Sequence, residues 1–238
     1  MKKEPQNINT TEKNTWCPGC LNFVTLATLK KTLRKLHDEN KIDLNKTVLV
    51  TDIGCGAKIY DYINVSAVYA LHGRVLPVAT GIKAARPELT VIGFGGDGGT
   101  YNEGMNHLIH SARRNVGVTM IVANNRVFAL TKGQPTATNE TSFGIPIDAI
   151  RLSQDAGATF TIRASALAPD FLEKALEKAI THKGFSLLEI IQPCLIFKND
   201  VDEIRKETEK LKKAGIPEGK KRITWEEAIR GHIASKRD

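Results

Sequence analysis

Apolar residues recur at steps of three and four near the start of the chain: Phe23, Leu26, Leu29, Leu33 and Leu36. That spacing places them on one face and predicts a helix over residues 22–38. The pattern then changes to a continuous β-branched and apolar run, Thr47-Val48-Leu49-Val50-Thr51-Asp52-Ile53, which ends at Gly54-Cys55-Gly56. A run with no polar alternation is the mark of a strand buried on both faces. Helix and strand patterns alternate from there. A helix is predicted over 77–85, stopping before Pro87, and a strand over 89–94. A helix over 103–113 follows, with Met105, Leu108, Ile109 and Ala112 on its apolar side, then a strand over 118–123. Strands over 158–162 and 185–191 flank a helix over 170–182. Buried strands alternating with helices predict an α/β fold, a parallel sheet with helices on both faces.

Three segments divide the chain: a polar arm over 1–15, a domain over 16–199, and a charged, helix-patterned tail over 200–238. With 238 residues, 41% hydrophobic and 25% charged, the chain is long enough for one sizeable core and ordinary for a soluble globular protein. No apolar run reaches membrane-spanning length, and the opening MKKEPQNINTTEKN puts no apolar stretch behind its first lysines. No membrane partner is predicted and a cytoplasmic location is expected. The net charge of +8 raises nucleic acid as a partner. The basic residues are dispersed, however, and the densest cluster, Lys220-Lys221-Arg222, carries no recognition motif. No nucleic-acid partner is predicted; an acidic protein or an anionic cofactor suits the charge as well.

The candidate chemistry begins at residues 93–99, GFGGDGG, where five glycines surround Asp97 directly after a predicted strand. Ligands of open parallel sheets sit beyond the carboxyl ends of the strands, and bare backbone lets N–H groups approach a diphosphate. Phosphate alone does not call for Asp97. Mg²⁺ does, because it takes few protein oxygens and fills its octahedron from phosphate. The next strand ends at Asn124-Asn125, where an amide oxygen and a nearby backbone carbonyl can complete the protein's share. Gly96-Asp97-Gly98, twenty-five residues, then Asn-Asn resembles the thiamine diphosphate fingerprint. An exposed Asp in a plain turn would explain the first half alone, but not both halves at strand ends. A dinucleotide-type GxGxxG fits less well, since Asp97 would face the pyrophosphate unless a metal intervened.

All four cysteines can serve one site. Cys17 and Cys20 form a CPGC turn, Cys55 lies at a strand end, and Cys194 follows Pro193. Four thiolates suit Zn²⁺ or an iron–sulfur cluster, and CxxC by itself does not separate them. A thioredoxin-type pair leaves Cys55 and Cys194 without a role. Because Cys55 and the glycine turn both sit at strand ends, the thiols would neighbour the cofactor, where an electron acceptor has a use and structural zinc has none.

Together these stretches resemble the β, thiamine-diphosphate-binding, subunits of 2-oxoacid:ferredoxin oxidoreductases. The likeness rests on WCPGC (16–20), DIGCGAK (52–58), LHGR (71–74), GDGG (96–99), NNRVFALTKGQPTAT (124–138) and QPC (192–194). The resemblance implies a 4Fe–4S cluster on Cys17, Cys20, Cys55 and Cys194, and Mg²⁺ on Asp97, Asn125 and the carbonyl of Val127. It implies thiamine diphosphate along Ile53, Gly54, Cys55 and Gly56, along His72, Gly73 and Arg74, and along Gly96, Gly98, Gly99, Ala129, Leu130 and Thr131. It also implies CoA-dependent oxidative decarboxylation of a 2-oxoacid, with electrons passed to ferredoxin. Lys58 and His72 are the expected catalytic residues: Lys58 for a substrate carboxylate or a phosphate, His72 for the cofactor. Leu130 and Thr131 would shape substrate choice, while His107 and His110 read as ordinary helix residues. The glutamate that activates the cofactor comes from the other subunit in this family, so an α-type partner is expected. Leu21, Gly99, Pro135 and Ala137 depart from the usual pattern. Two rival readings are a non-redox thiamine diphosphate decarboxylase subunit with structural zinc, and a zinc-stabilised binding module.

Overall fold

The structure, a computed structural model, describes residues 7–140 and 144–234. Its elements are α1 (Asn22–Asp38), β1 (Thr47–Thr51), β2 (Ser66–Tyr69), α2 (Val75–Ala85), β3 (Thr90–Gly96), α3 (Met105–Arg114) and β4 (Val118–Asn124). A short hairpin of β5 (Val127–Phe128) and β6 (Gln134–Pro135) follows, then α4 (Ala149–Asp155), β7 (Phe160–Ser165), α5 (Pro169–Thr181) and β8 (Ser186–Ile191). α6 (Val201–Ala214) and α7 (Trp225–Ala234) complete the order.

Six strands form one parallel sheet in the order β2-β1-β3-β4-β8-β7. The register sets Leu49 beside Ile92 and Ile121 beside Leu188. Strands β1, β4 and β8 are buried at every position, as their unbroken apolar runs require. On one face Leu29, Leu33 and Leu36 of α1 and Leu172 and Leu176 of α5 pack with Leu49, Ile92 and Ile190. On the other, Leu76 of α2 and Leu108 of α3 pack with Val50, Val91 and Met120. Burying a leucine of this kind stabilises the fold by about 1.5–3 kcal/mol.

Several sequence expectations shift in the folded chain. Phe23, expected on the buried stripe of α1, is 39% exposed and instead meets the edge of Trp16, with ring centroids 5.4 Å apart. The glycine run is not a plain turn: from Asp97 the backbone passes directly into a π-helix, Gly98–Glu103, that leads into α3. Strand β2 was not foreseen, because an edge strand lies largely exposed and carries no clear pattern. Helix α3 ends on Asn115 at φ 54°, a left-handed cap whose Oδ1 accepts from the Phe185 N–H at 2.8 Å.

The tail packs on the sheet domain. Ile204 is fully buried, and Thr208 donates to Ser165 Oγ at 2.7 Å. Arg126 pairs with Asp200 at 3.4 Å, with Glu207 at 2.8 Å and with Glu203. At the other end Ile8 is buried and Asn9 bridges to Ile63; residues 1–6 of the expected arm and 235–238 of the expected tail lie outside the described residues. The topology also fixes where a ligand can go. The chain runs from β1 outward to β2, then back across to β3, so β1 and β3 flank a switch point. Ligands of open α/β sheets bind in the crevice beyond the strand ends at such a point.

Candidate functional site

Beyond the carboxyl ends of β1, β3 and β4 lies a cavity of about 260 Å³. Its wall contains Ile53, Gly54, Cys55 and Gly56 after β1, and His72 after β2. Gly96, Asp97, Gly98 and Gly99 follow β3, and Asn125, Val127, Phe128, Ala129, Leu130 and Thr131 follow β4. Motifs more than forty residues apart thus converge because parallel strands end together. Gly73 and Arg74 are not on the wall. The Gly73 N–H donates to Asp52 Oδ2 at 3.1 Å, and Arg74 Nη1 donates to the Glu103 carbonyl at 3.0 Å.

The glycines divide into two groups. A Cβ on Gly54 would meet nothing within 4 Å, and one on Gly96 would approach only the Ala123 carbonyl, at 4.0 Å. These two leave room in the cavity. A Cβ on Gly98 would lie 2.2 Å from the Phe128 ring, and one on Gly99 2.1 Å from Asp52 Oδ2. Those two are bare because protein atoms already fill the space.

Asp97 is 2% exposed, and burial pushes its carboxyl up to about 6. Hydrogen bonds from Thr136, from Thr138 at 3.2 Å and from the Asn125 backbone act the other way, and no cation pairs with it among the described residues. Asn125 Oδ1 accepts from the Val127 N–H at 3.2 Å, which folds the amide back toward the same corner. The Val127 carbonyl accepts from Ala129 N at 2.9 Å.

A second cavity of about 360 Å³ adjoins the first. Cys17, Cys20, Cys55 and Cys194 all line it, with Trp16, Lys58, Leu195, Ile196 and Phe197. The CPGC turn is closed by Cys20 N–H donating to the Cys17 carbonyl at 3.0 Å, with Gly19 at φ 77°. Trp16 Nε1 donates to the Cys55 carbonyl at 2.6 Å and ties that turn to the end of β1. Burial raises the thiols of Cys20 and Cys55, and the other cysteines raise them further, so the four are electrostatic neighbours. Among the described residues no three His, Cys, Asp or Glu side chains are drawn together closely enough to hold one metal ion. Lys58 lies on this second cavity rather than the first, 3.5 Å from Asp61.

Three site residues escaped the sequence reading. Phe128 packs on Gly98. Gln192 lines both cavities and donates to Asn22 Oδ1 at 2.7 Å; its position ahead of Pro193-Cys194 was the available signal. Asp52 is fully buried behind His72, with His72 Nδ1 3.5 Å from its Oδ2. Burial pushes Asp52 up to about 6, against the Gly73 hydrogen bond and His72. Its place just ahead of Ile-Gly-Cys marks it only in hindsight.

This architecture, with paired glycine and asparagine turns at neighbouring strand ends, is that of a thiamine-diphosphate-binding domain. Residues 52–190 match the family described as "Thiamine pyrophosphate enzyme, C-terminal TPP binding domain". More particularly, the chain belongs to the β subunits of 2-oxoacid:ferredoxin oxidoreductases. It is 38% identical over 206 residues to the 2-oxoglutarate synthase subunit KorB of Archaeoglobus fulgidus, covering 82% of this chain and 75% of that one. It is 40% identical over 196 residues to the 2-oxoacid:ferredoxin oxidoreductase 1 subunit beta of Aeropyrum pernix, covering 78% of this chain. The match spans 60% of that relative's length. Among solved structures, the 2-oxoglutarate:ferredoxin oxidoreductase from Magnetococcus marinus superposes with a TM-score of 0.83 at 26% identity, over 99% of this chain and 91% of that one. A 4-hydroxybenzoylformate decarboxylase of Rhodococcus jostii RHA1, at TM-score 0.51 and 19% identity over 81% of this chain and 37% of that one, shares the fold alone. Among the described residues no helix is long and apolar enough to cross a membrane.

Proposed function

We propose that this chain is the cofactor-carrying subunit of an enzyme that oxidatively decarboxylates a 2-oxoacid with coenzyme A and delivers electrons to ferredoxin, or runs the reverse. One observation carries the reading. The strand-end cavity and the cysteine cavity share a wall, made of Cys55, Asn125, Ala129, Leu130 and Gln192. When bound, thiamine diphosphate supplies an electron sink for decarboxylation, and a 4Fe–4S cluster supplies a one-electron acceptor.

The residues present fit both groups. Asp97 is a buried carboxylate lacking a cation, which is a state a divalent ion relieves. Together with the Asn125 amide and the Val127 carbonyl it offers Mg²⁺ the few protein oxygens that ion takes. Gly54 and Gly96 keep the cavity open for the cofactor, and Gly98 and Gly99 lie on its wall. Cys17, Cys20, Cys55 and Cys194 would hold the cluster. The four thiols line one cavity, and a 4Fe–4S cluster would offer one iron to each. Leu130, 59% exposed, and Thr131 border the open side, where substrate would enter. No glutamate lines the strand-end cavity among the described residues, in keeping with an α-type partner that supplies one.

Purification without oxygen, followed by iron, sulfide and zinc analysis, tests the reading. About four irons and four sulfides per chain are expected. Zinc without iron or sulfide would defeat the electron-transfer role. The chain mixed with its α-type partner should oxidise a 2-oxoacid, and the chain alone should not.

A further inference from the structure

We infer that Asp52 is a positioning residue for His72: its carboxylate accepts from Nδ1–H and turns the Nε2 edge toward the strand-end cavity. The identity of what Nε2 would meet there, the cofactor's diphosphate, rests on the function proposed above; the orientation of the ring does not. Asp52 is completely buried at the end of β1. Its Oδ2 accepts from the Gly73 N–H at 3.1 Å and lies 3.5 Å from His72 Nδ1. Among the described residues neither its Oδ1 nor His72 Nδ1 has a hydrogen-bond partner.

A buried carboxylate is costly, and one kept for architecture has its oxygens satisfied. Glu189 shows what that looks like in this protein, with Tyr101, Asn124 and Arg163 around it. Asp52 has one backbone donor and, across 3.5 Å, an imidazole nitrogen that has no other partner among the described residues. That imidazole belongs to a residue on the cavity wall, its ring tilted against Phe128 with centroids 6.4 Å apart. With Nδ1 turned to the carboxylate, Nε2 is the nitrogen left for a ligand, and it donates to an anion such as a diphosphate when both ring nitrogens carry protons, the Nδ1 proton being held by the carboxylate.

The glycine turn makes the meeting possible. A Cβ on Gly99 would stand 2.1 Å from Asp52 Oδ2 and 3.1 Å from His72 Cε1, so bare backbone at 99 is what lets the two side chains approach beneath the pocket. The 3.5 Å separation exceeds a closed hydrogen bond, and a small rotation of the ring would close it onto the carboxylate.

The test has two arms. In the full chain labelled with ¹⁵N at its six histidines, His72→Asn identifies the His72 resonances. These should show a protonated Nδ1 and should move in Asp52→Ala. In the enzyme assembled with its partner, Asp52→Ala should weaken thiamine diphosphate binding about tenfold or more, the size of a lost hydrogen bond to a charged group. His72→Asn should do the same, and the double variant should be no weaker than either. Asp52→Asn, which keeps an acceptor, should restore most of the affinity. If the alanine variant does not fold, Asp52→Ser, too short to reach the ring, takes its place. Losses that multiply in the double variant, or His72 resonances indifferent to position 52, would overturn the inference. A wild-type enzyme that takes up no thiamine diphosphate would sink the cofactor reading instead, and the ¹⁵N shifts would then decide the dyad alone.

Discussion

Glu189 in β8 and Asp97 after β3 are both buried carboxylates on central strands of the sheet, and the chain meets their charges differently. Glu189 accepts from the Tyr101 hydroxyl at 3.0 Å, from Asn124 Nδ2 at 3.1 Å and from the Arg163 guanidinium. Arg163 is steadied in turn by Asp148 and Glu207, each at 3.5 Å. Asp97 has neutral donors only, and burial pushes it up to about 6. A buried charge that its own chain neutralises serves the architecture; one left without a counter-ion marks a place where something else supplies it. The contrast separates a structural centre from a functional one in the same sheet, with only β4 between their strands.

The strongest way to break the comparison is at the satisfied end. Arg163→Met strands Glu189 and should cost about 3–5 kcal/mol of stability, read from the denaturant midpoint. A loss under about 1 kcal/mol would mean the network is ornamental.

At the unsatisfied end the sign reverses. Asp97 has a folded pKa of about 6 against an ordinary 3.8, so between those values the folded chain binds a proton that the unfolded chain does not. Stability attributable to this group therefore falls as pH rises through that window. Without Mg²⁺ and cofactor, Asp97→Asn should be the more stable protein above pH 6, by up to about 3 kcal/mol, with the advantage gone near pH 4. Adding Mg²⁺ and thiamine diphosphate should stabilise the wild type and leave the variant where it was. An advantage that did not change with pH would remove the charge explanation.

Gly98→Ala sharpens the comparison sterically. Its Cβ would press on the Phe128 ring at 2.2 Å, and overpacking of this sort costs about 1–3 kcal/mol. Phe128→Leu in the same chain should recover part of the loss in thermal midpoint. The smallest effect belongs to Lys58, whose pairing with Asp61 at 3.5 Å is partly exposed and long. Lys58→Met should leave stability within about 0.5 kcal/mol, so a large loss of turnover in the assembled enzyme would have to come from chemistry.

Much of this was legible along the chain. The stripe from Leu26 to Leu36 marked α1, and unbroken runs marked β1, β3, β4 and β8, because burial on both faces leaves its imprint on every residue. Edge strand β2 and the seven-residue helix α4 left too little pattern to read. The continuation of Asp97 into a π-helix was hidden too: its Gly98 and Gly99 sit against Phe128 and Asp52, neighbours distant in sequence that no local pattern announces.

The sequence by itself determined the α/β class, the positions of the glycine and asparagine turns at strand ends, and the four cysteines as a set. Those follow from local propensity and from burial patterns that each segment carries alone. The tertiary structure alone decided that β1 lies between β2 and β3, that Asp52 stands behind His72, and that two cavities share one wall. Strand order and side-chain meetings across it depend on crossover paths and on packing between distant segments, and no single stretch of residues encodes them.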